Sequence, residues 1–444
     1  MHADLRPVAG DRRVIVLATI LALALIAAAT PAPATTPAWT LDRCLEAAQD
    51  TSPRLETARA RVDAARALSD AAGAQLYPVL GLTGRAGYTT ETLSIDFPAA
   101  PAQAPRGIHF GDGYDFDLML GVRVPLYQGG GQRAERAARQ AQWRASLAEV
   151  TADSLDLRLQ VRRAFFGALG AQAAAGAARQ GEDRLRRHLE VITASIDAGT
   201  ATEEARIQVL ARLRRTQQTT VQADAAATAQ CLGLGRLVGT PGQEVAPTAD
   251  LTVSLLGTDE GGRPWDERPE LRALDSRIDA AEQTTRAAGA GLRPAVDLEG
   301  GWHYGRPGVD PVTDAWMDYG TVVLSLRWPL FDFGRSGHRV RNQRAEKRAL
   351  TAARRDTDEA LHTRLANART QRSSALQERD HALERVTLER QRLGLLQSRW
   401  HAGNATETEL LDVQDDVTVA EMDLAMTRAR LRIAEAELLA ALGR

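Results

Sequence analysis

Residues 319–334 read YGTVVLSLRWPLFDFG, a short strand that ends at a proline and leads into a long charged segment. One face of the strand is apolar and consists of Val322, Leu324, Leu326 and Trp328. The opposite face carries Thr321, Val323, Ser325 and Arg327. After Pro329 no proline follows, and alanine-rich, charged sequence continues from Gly334 to Ala402-Gly403-Asn404. A helix over residues 335–401 would be about 100 Å long, which exceeds the size of an ordinary globular domain.

The same strand–helix unit occurs a second time, earlier in the chain. A shift of 204 positions, without a gap, aligns the strand ends and the helix–helix turns: Pro125, Leu126, Gly130 and Ala198-Gly199 with Pro329, Leu330, Gly334 and Ala402-Gly403. A shift of 216 aligns the segments before the strands: Pro53 with Pro269 and Pro78 with Pro294. The difference between the two shifts falls in the loop between strands, where insertions are tolerated. The sequence therefore predicts a duplication with two helical hairpins of equal length.

The repeats define the predicted organisation, which is mainly α with β. We expect a first repeat over residues 35–240, a linker over 241–266 and a second repeat over 267–444. Strict apolar–polar alternation predicts strands at about 79–88, 114–125, 295–304 and 319–328. The helical hairpins are predicted at about 132–239 and 335–442. An amphipathic helix from Thr40 to Gln75 precedes the first strand, and the proline-rich residues 89–113 are expected to form an exposed loop.

The amino terminus has the pattern of a secretory signal peptide over residues 1–34. Arg6, Arg12 and Arg13 precede an apolar run over 14–29, and Ala32-Pro33-Ala34 offers a cleavage site. The apolar run is short for a transmembrane helix, although an uncleaved anchor is the alternative. The mature chain is therefore predicted to leave the cytoplasm.

Composition argues against several classes of function. Arginine supplies nearly all the basic charge, since Lys347 is the only lysine, and the net charge is −2. This net charge argues against a nucleic-acid-binding protein, which would normally show a basic surface. Two cysteines, Cys44 and Cys231, are too few for a disulfide framework or a zinc site. They could form one disulfide or remain buried thiols, and the sequence leaves both alternatives open.

An enzyme is not predicted. The eight histidines are scattered, and no nucleophile elbow or dinucleotide-binding fingerprint is present. Gly129-Gly130-Gly131 lacks the Lys-Ser/Thr of a phosphate-binding loop, because Gln132-Arg133-Ala134 follows it, so a strand-to-helix corner is the better interpretation. We predict no catalytic, cofactor-binding or metal-binding residues.

The four alternating strands allow two interpretations. In a soluble sandwich the apolar faces would pack on each other, whereas in an outer-membrane barrel they would contact lipid and the polar faces would line the lumen. Four strands cannot close a barrel, and open edges in lipid would leave unpaired backbone groups, so the membrane interpretation requires an oligomer. The helices fit it, since the first hairpin has a narrow apolar seam typical of coiled coils: Val161, Phe165, Ala168, Leu185, Leu189, Ile192 and Ile196.

Over nearly its whole mature length the chain resembles the TolC-like outer-membrane efflux family. The resemblance rests on the duplication, on Thr40-Leu41 with Pro53, on the strand endings at 125–130 and 329–334, and on Trp400-His401-Ala402-Gly403 followed by Leu410-Leu411-Asp412. It implies a homotrimer whose twelve strands form one transmembrane β-barrel, continuous with an α-helical barrel in the periplasm. Such proteins are exit ducts that work with a periplasmic adaptor and an inner-membrane pump. Alternatives are the conduit of type I protein secretion and a secreted coiled-coil scaffold.

The resemblance also implies functional positions at the helical tips. Gly199 and Gly403 match glycines that contact the adaptor, although both could serve only as turn residues. Glu409 and Asp412 fall where acidic residues ring the periplasmic aperture. Trp400 stands where the family often has tyrosine, which implies an aromatic latch. Glu409 has an alternative role, because Thr406-x-x-Glu409 is a capping box. Ala205 and Ala405 replace residues that form closing links in other family members.

Three charged residues are predicted to face the barrel lumen: Asp117, Arg123 and Arg327. The two arginines are equivalent in the repeats, and in a trimer they would form a basic ring that favours anions. The alternative is that they pair with neighbouring carboxylates.

Overall fold

A computed structural model describes residues 38–92, 94–96, 107–109, 112–256, 264–310 and 315–444. The predicted signal peptide lies outside the described residues, as do Pro98, Pro101 and Pro105 of the first inter-strand loop. Within these ranges, no helix is both long enough and apolar enough to cross a membrane.

The described chain contains seven α-helices and six strands. The helices are α1 (Leu41–Thr51), α2 (Pro53–Ala74), α3 (Gly131–Asp197), α4 (Glu203–Leu237), α5 (Pro269–Gly289), α6 (Arg335–His401) and α7 (Glu407–Ala441). The strands are β1 (Val79–Tyr88), β2 (Ser94–Asp96), β3 (Gly107–His109), β4 (Tyr114–Gln128), β5 (Ala295–Arg306) and β6 (Met317–Arg327). Short 3-10 turns occur at Trp265–Glu267 and Ala290–Leu292.

The duplication is visible in three dimensions. Helices α3 and α6 each have 67 residues, and α4 and α7 each have 35. The strand hairpins share one register, since Val79 lies opposite Arg123 in the first repeat and Ala295 opposite Arg327 in the second. The predicted two-repeat fold is confirmed, while the division of the chain at residues 240 and 267 stays a prediction.

Three local predictions were wrong. The helix predicted from Thr40 to Gln75 is two helices, because Ser52 is extended (φ −69°, ψ 115°), as expected before a proline, and its hydroxyl caps Leu55. Strand β4 does not end at residue 125 but continues to Gln128. A bulge between Pro125 and Tyr127 accommodates the proline, which has no N–H to donate to the ladder. The loop over 89–113 contains the small hairpin β2–β3, which sequence patterning did not reveal.

The long strands form one antiparallel sheet in the order β1-β4-β5-β6. No second sheet covers its apolar face in the described residues, where Leu82 is 68% exposed, Leu120 46% and Leu324 66%. The sandwich interpretation is therefore wrong for the single chain. Strands β1 and β6 each have a neighbour on one side only, so the sheet has two open edges.

Helix α3 is the centre of the helical part. It packs on α2 and α5 near the sheet and on α4 and α7 towards the other end, and 22 of its residues are buried. Its buried residues include most of the predicted seam: Val161, Phe165, Ala168, Leu185 and Ile192. Its equivalent, α6, packs on α5 and α7 and buries only six residues: Ser336, Leu361, Ala368, Ala375, Val386 and Leu393. One long side of α6 is therefore open to solvent.

Candidate functional site

The helical hairpins turn at two glycines with the same geometry. Gly199 has φ 74° and Gly403 has φ 73°, a left-handed conformation that is costly for residues with a Cβ. Each turn is closed by an equivalent hydrogen bond of 2.8 Å, from the Thr200 N–H to the Ser195 carbonyl and from the Asn404 N–H to the Arg399 carbonyl. Apart from the adjacent residues, no atom of the described chain lies within 4 Å of the position that a Cβ would occupy on either glycine. The glycines are thus required by the turns, and they leave an open surface at the tips.

Glu409 completes a capping box at the start of α7. Its carboxylate accepts hydrogen bonds from the Thr406 N–H (2.8 Å) and hydroxyl (3.0 Å), while its own N–H donates to the Thr406 hydroxyl oxygen. Because these bonds favour the ionised form, they lower the pKa of Glu409. Glu409 therefore caps its own helix, whereas a role at an aperture stays a prediction.

Asp412 lies in an inter-helix ion-pair group. Arg212 of α4 donates a hydrogen bond from one guanidinium nitrogen to the Asp412 carboxylate. Its other terminal nitrogen donates to the Asp415 carboxylate at 2.5 Å. Burial raises the pKa of Asp415, and Arg212 opposes that effect. Asp412 and Asp415 are three residues apart and therefore lie on one face of α7. This spacing could have indicated from the sequence that the two carboxylates share an arginine partner. Nothing local in the sequence points to Arg212 itself.

Trp400 belongs to a second group that joins three helices. Its indole N–H donates to the Glu407 carboxylate at 3.0 Å, and its ring meets the His188 ring edge to face, with centroids 5.2 Å apart. His188 of α3 also hydrogen-bonds Glu407, and only 8% and 11% of the two side chains is exposed. A role of Trp400 as a latch stays a prediction. Sequence reasoning did not indicate His188 as a partner, because 219 positions separate it from Glu407, and it also missed Glu407, although that residue lies only seven positions after Trp400.

A third group of ion pairs binds α7 to its neighbours at a position farther from the tip. Glu421 accepts hydrogen bonds from Arg184 of α3 at 3.0 Å and from Arg390 of α6 at 2.8 Å. Carboxylates on α7 thus bind cations or N–H donors from every neighbouring long helix. Ala205 and Ala405 have no polar side-chain atoms, and the inter-helix links of this chain use other residues.

The polar face of the sheet carries a second group of predicted residues. Asp117 lies 3.0 Å from His303, which also bonds the Thr321 hydroxyl at 3.0 Å. Arg123 pairs with Glu299 at 2.5 Å, as the pairing alternative predicted. Among the described residues, Arg327 has no carboxylate within ion-pair distance. The two equivalent arginines therefore differ, because Glu299 lies opposite Arg123 in the β4–β5 register, whereas β6 is an edge strand.

Both cysteines are buried free thiols, so the disulfide alternative is wrong for this structure. Burial raises the pKa of Cys44 to about 11 and also raises the pKa of Cys231. Within the described ranges, no group of three or more His, Cys, Asp or Glu side chains is placed to hold a metal ion.

Comparison with known proteins identifies the family. The sequence model of the family described as outer membrane efflux protein matches residues 44–240 and 265–444, which contain both repeats. The chain belongs to the outer membrane efflux protein family. No curated protein matches it. The family assignment makes this outer membrane efflux protein a channel of the outer membrane.

Solved structures share the fold of this outer membrane efflux protein at low identity. A membrane protein from Pseudomonas aeruginosa has a TM-score of 0.76 at 20% identity, with 90% of this chain and 93% of that chain covered. VceC from Vibrio cholerae has a TM-score of 0.73 at 21% identity, covering 91% and 96%. CusC has a TM-score of 0.76 at 16% identity, covering 90% and 91%. The repeats, sheet and hairpins are thus arranged as in outer-membrane channels.

Proposed function

We propose that this outer membrane efflux protein is the homotrimeric exit duct of a tripartite efflux system. Three copies of the sheet close into one twelve-stranded β-barrel in the outer membrane. The helices of the three copies continue it as an α-helical barrel through the periplasm. A periplasmic adaptor and an inner-membrane pump deliver the cargo to the helical tips.

The observation that carries the proposal is a four-stranded sheet with an exposed apolar face and two open edges. In hydrocarbon each unpaired backbone group of an open edge would cost several kcal/mol, so a single copy is not a stable spanning structure. Pairing β6 of one copy with β1 of the next removes every edge. The apolar face then contacts lipid, and the face with Arg123 and His303 contacts water.

The contacts around α7 support an aperture at the tips. Asp412 is held by Arg212 and Glu407 by His188, and these two contacts bind α7 to the first repeat. Breaking them would let α7 and α6 move away from α3 and α4. In three copies such a movement would widen the end of the duct.

The open surface at Gly199 and Gly403 supports adaptor contact there. Asparagine tolerates the left-handed conformation better than other residues with a side chain. Gly199→Asn and Gly403→Asn should therefore preserve the turns while placing a side chain on the surface. We expect trimers of normal stability that bind adaptor less tightly, measured by co-purification and by efflux in cells. If both variants bind adaptor and pump as the unsubstituted protein does, the tips are not the contact surface.

Fractionation followed by light scattering in detergent tests the proposed assembly. The expected result is an outer-membrane trimer that conducts ions when reconstituted into a planar bilayer. A water-soluble monomer would overturn the proposal and favour a secreted scaffold instead.

A further inference from the structure

Two strands of the sheet bring a thioether sulfur and an imidazole together on its polar face. We propose that Met119 of β4 and His303 of β5 form a binding site for a soft monovalent cation, silver or copper in the +1 state. This inference rests on the proposed function in one respect, namely that the polar face of the sheet lines the duct. It goes further by assigning a class of ligand and two ligating residues to that face.

Met119 and His303 lie directly opposite each other in the β4–β5 ladder. Side chains at such a pair project from the same face of the sheet, with Cβ atoms about 4.5–5.5 Å apart. The pair joins the two repeats, since β4 belongs to the first and β5 to the second. The sequence predicted no metal-binding residues because no local spacing along the chain brings these two strands together.

The two side chains converge above Gly301. A Cβ on Gly301 would lie 3.3 Å from the Met119 Sδ and 3.3 Å from the His303 Nε2. Because residue 301 is glycine, no side-chain atom of its own separates the sulfur from the nitrogen. Metal bonds to imidazole nitrogen and to sulfur are about 2.0–2.3 Å long. Each ligand atom therefore needs to move by only about 1 Å to bind one ion placed between them.

The hydrogen bonds of His303 determine which ring nitrogen is available to a cation. The two carboxylate oxygens of Asp117 lie 3.0 and 3.1 Å from Nδ1. An ionised carboxylate only accepts hydrogen bonds, so Nδ1 carries the proton and Nε2 of the neutral ring keeps its lone pair. The Thr321 hydroxyl, 3.0 Å from Nε2, donates to that lone pair and can rotate away. A carboxylate bound to the distal nitrogen is the arrangement that orients histidine ligands at metal sites.

The imidazole is held in place before any cation binds. Its ring is stacked on the ring of Tyr319, with centroids 4.7 Å apart and an angle of 3° between the planes. Only 12% of the His303 side chain and 18% of the Asp117 side chain are exposed. A ligand that is already ordered loses little conformational freedom on binding, and this favours affinity.

The pair of ligand atoms selects the kind of cation. Thioether sulfur is a soft donor that favours Cu⁺, whereas Mg²⁺ and Ca²⁺ require sets of oxygen ligands. Zinc takes four ligands in structural sites, and the part of the chain that the structure describes has no group of three or more His, Cys, Asp or Glu that could hold a metal ion. Methionine is outside those four residue types. Silver and copper in the +1 state accept two ligands, which is the number available here.

The charges around the pair also favour a cation. The Asp117 carboxylate lies directly behind the imidazole. Arg123 lines the same part of the polar face, but it pairs with Glu299 at 2.5 Å. The carboxylates therefore outnumber the arginine among these neighbours, and opposite charge nearby lowers the free energy of a bound cation.

A cavity of about 520 Å³ leads from the polar face to the pair. Its floor includes one cross-strand row of glycines, since Gly81 pairs with Gly121 and Gly121 pairs with Gly301. At Gly81, apart from the adjacent residues, no atom of the described chain lies within 4 Å of the position that a Cβ would occupy. A hydrated cation can therefore reach the sulfur and the imidazole from the side of the lumen.

Isothermal titration calorimetry of the full chain with Ag⁺ tests the site. The protein is kept in detergent and in nitrate buffer without chloride, and Cys44→Ala and Cys231→Ala remove both thiols. We expect one tight Ag⁺ site per chain. Met119→Leu and His303→Gln should each weaken the affinity of this site at least tenfold, because each removes one of its two ligands.

The matched controls make the same substitutions away from the sheet. They are Met422→Leu on α7 and His338→Gln at an exposed position of α6. Both should leave the affinity for Ag⁺ unchanged. An equal loss of affinity in these controls, or full affinity in Met119→Leu and His303→Gln, would overturn the site.

Methyl NMR distinguishes a ligand from a residue that only supports the fold. In protein labelled with ¹³C at the methionine methyl groups, binding of Ag⁺ to Sδ should shift the methyl resonance of Met119. The resonances of Met422 and Met426, both on α7, should not move. Because the measurement uses the unsubstituted side chains, misfolding of a variant cannot imitate the result. A Met119 resonance that stays in place while Ag⁺ occupies the tight site would overturn the assignment.

Ion selectivity relates the site to the duct. Three bound cations in a trimer add positive charge to the lumen, so Ag⁺ should shift the reversal potential of the reconstituted channel towards anion preference. The shift should be absent in Met119→Leu. Tight binding without a shift in a conducting channel would place the site outside the conducting path and overturn its assignment to the lumen.

The measurements separate this inference from the proposed function. Calorimetry and NMR require neither a trimer nor a channel, so protein that binds Ag⁺ at Met119 but forms no conducting channel would reject the proposed duct and leave the cation site supported. A conducting trimer without a tight Ag⁺ site would overturn the cation site alone.

Discussion

Glu407 and Glu203 begin equivalent helices, yet they lie in different surroundings. Glu407 is bound by His188 and by the indole N–H of Trp400 from two other helices. Glu203 is exposed and pairs with Arg206 of its own helix. Glutamates at equivalent positions of the two repeats thus have different roles. Glu407 links α7 to the first repeat, whereas Glu203 forms an ion pair within its own helix.

This difference predicts unequal effects of truncation. Glu407→Ala leaves the buried His188 ring and the half-buried Trp400 indole N–H without their acceptor, and an unsatisfied buried polar group costs about 1–3 kcal/mol. We expect hydrogen exchange of the backbone amides over residues 400–410 to accelerate by about tenfold or more, since each 1.4 kcal/mol corresponds to about a factor of ten. Glu203→Ala is the matched control and should leave exchange in its own tip nearly unchanged. Equal effects would show that the His188–Glu407–Trp400 group does not stabilise the tip.

Removing the Arg212 side chain should widen the periplasmic end of the duct. Arg212→Ala removes the cation that binds Asp412 and Asp415 and leaves two like charges close together on α7. We expect the conductance of the reconstituted channel to rise several-fold. Arg214→Ala is the control, because Arg214 lies on the same helix, is exposed and contacts only Gln217 among the hydrogen bonds of the described residues. Unchanged conductance in Arg212→Ala, with an intact trimer, would contradict a closing role for this group.

The two equivalent arginines of the sheet should differ in their effect on ion selectivity. Both side chains are exposed, but Arg123 pairs with Glu299 at 2.5 Å, whereas no carboxylate among the described residues lies within ion-pair distance of Arg327. Arg327→Ala should therefore shift the reversal potential in a salt gradient towards cation preference more than Arg123→Ala does. A larger shift for Arg123→Ala would mean that its charge is available to ions in the lumen.

Lowering the pH should destabilise the first turn of α7. Since the pKa of Glu409 is lowered, its capping contribution is present above the ordinary glutamate pKa of about 4.3 and is lost as the pH falls through the lowered value. Exchange of the amides over residues 407–410, corrected for intrinsic rates, should accelerate in that range. In Glu409→Gln the side chain still fits a capping box but does not titrate, so this pH dependence should disappear.

The cysteines should be unreactive in the folded protein. With a pKa of about 11, Cys44 is about one-thousandth thiolate near pH 8, and burial further blocks access. Intact-mass analysis after maleimide treatment should show neither thiol modified in the native trimer and both modified after denaturation. A disulfide, or rapid native labelling of Cys44, would contradict the packing of α1 on α3.

The sequence alone determined the architecture of this protein. The gapless shift of 204 positions fixed two hairpins of equal length, and strict alternation located the four long strands, because both signals are local and repeat along the chain. It also identified the turn glycines Gly199 and Gly403 and the capping role of Glu409, each of which depends on neighbours within a few residues.

Only the tertiary structure decided which distant side chains meet. His188 and Arg212 became partners of α7 through the packing of helices about 200 positions apart, and no local pattern records such a contact. The same holds for the two lumen arginines, which are equivalent in sequence but differ in charge pairing because one strand is internal and the other lies at an edge. Periodicity sets the face on which a residue lies, whereas the neighbour on that face is set by how the elements pack.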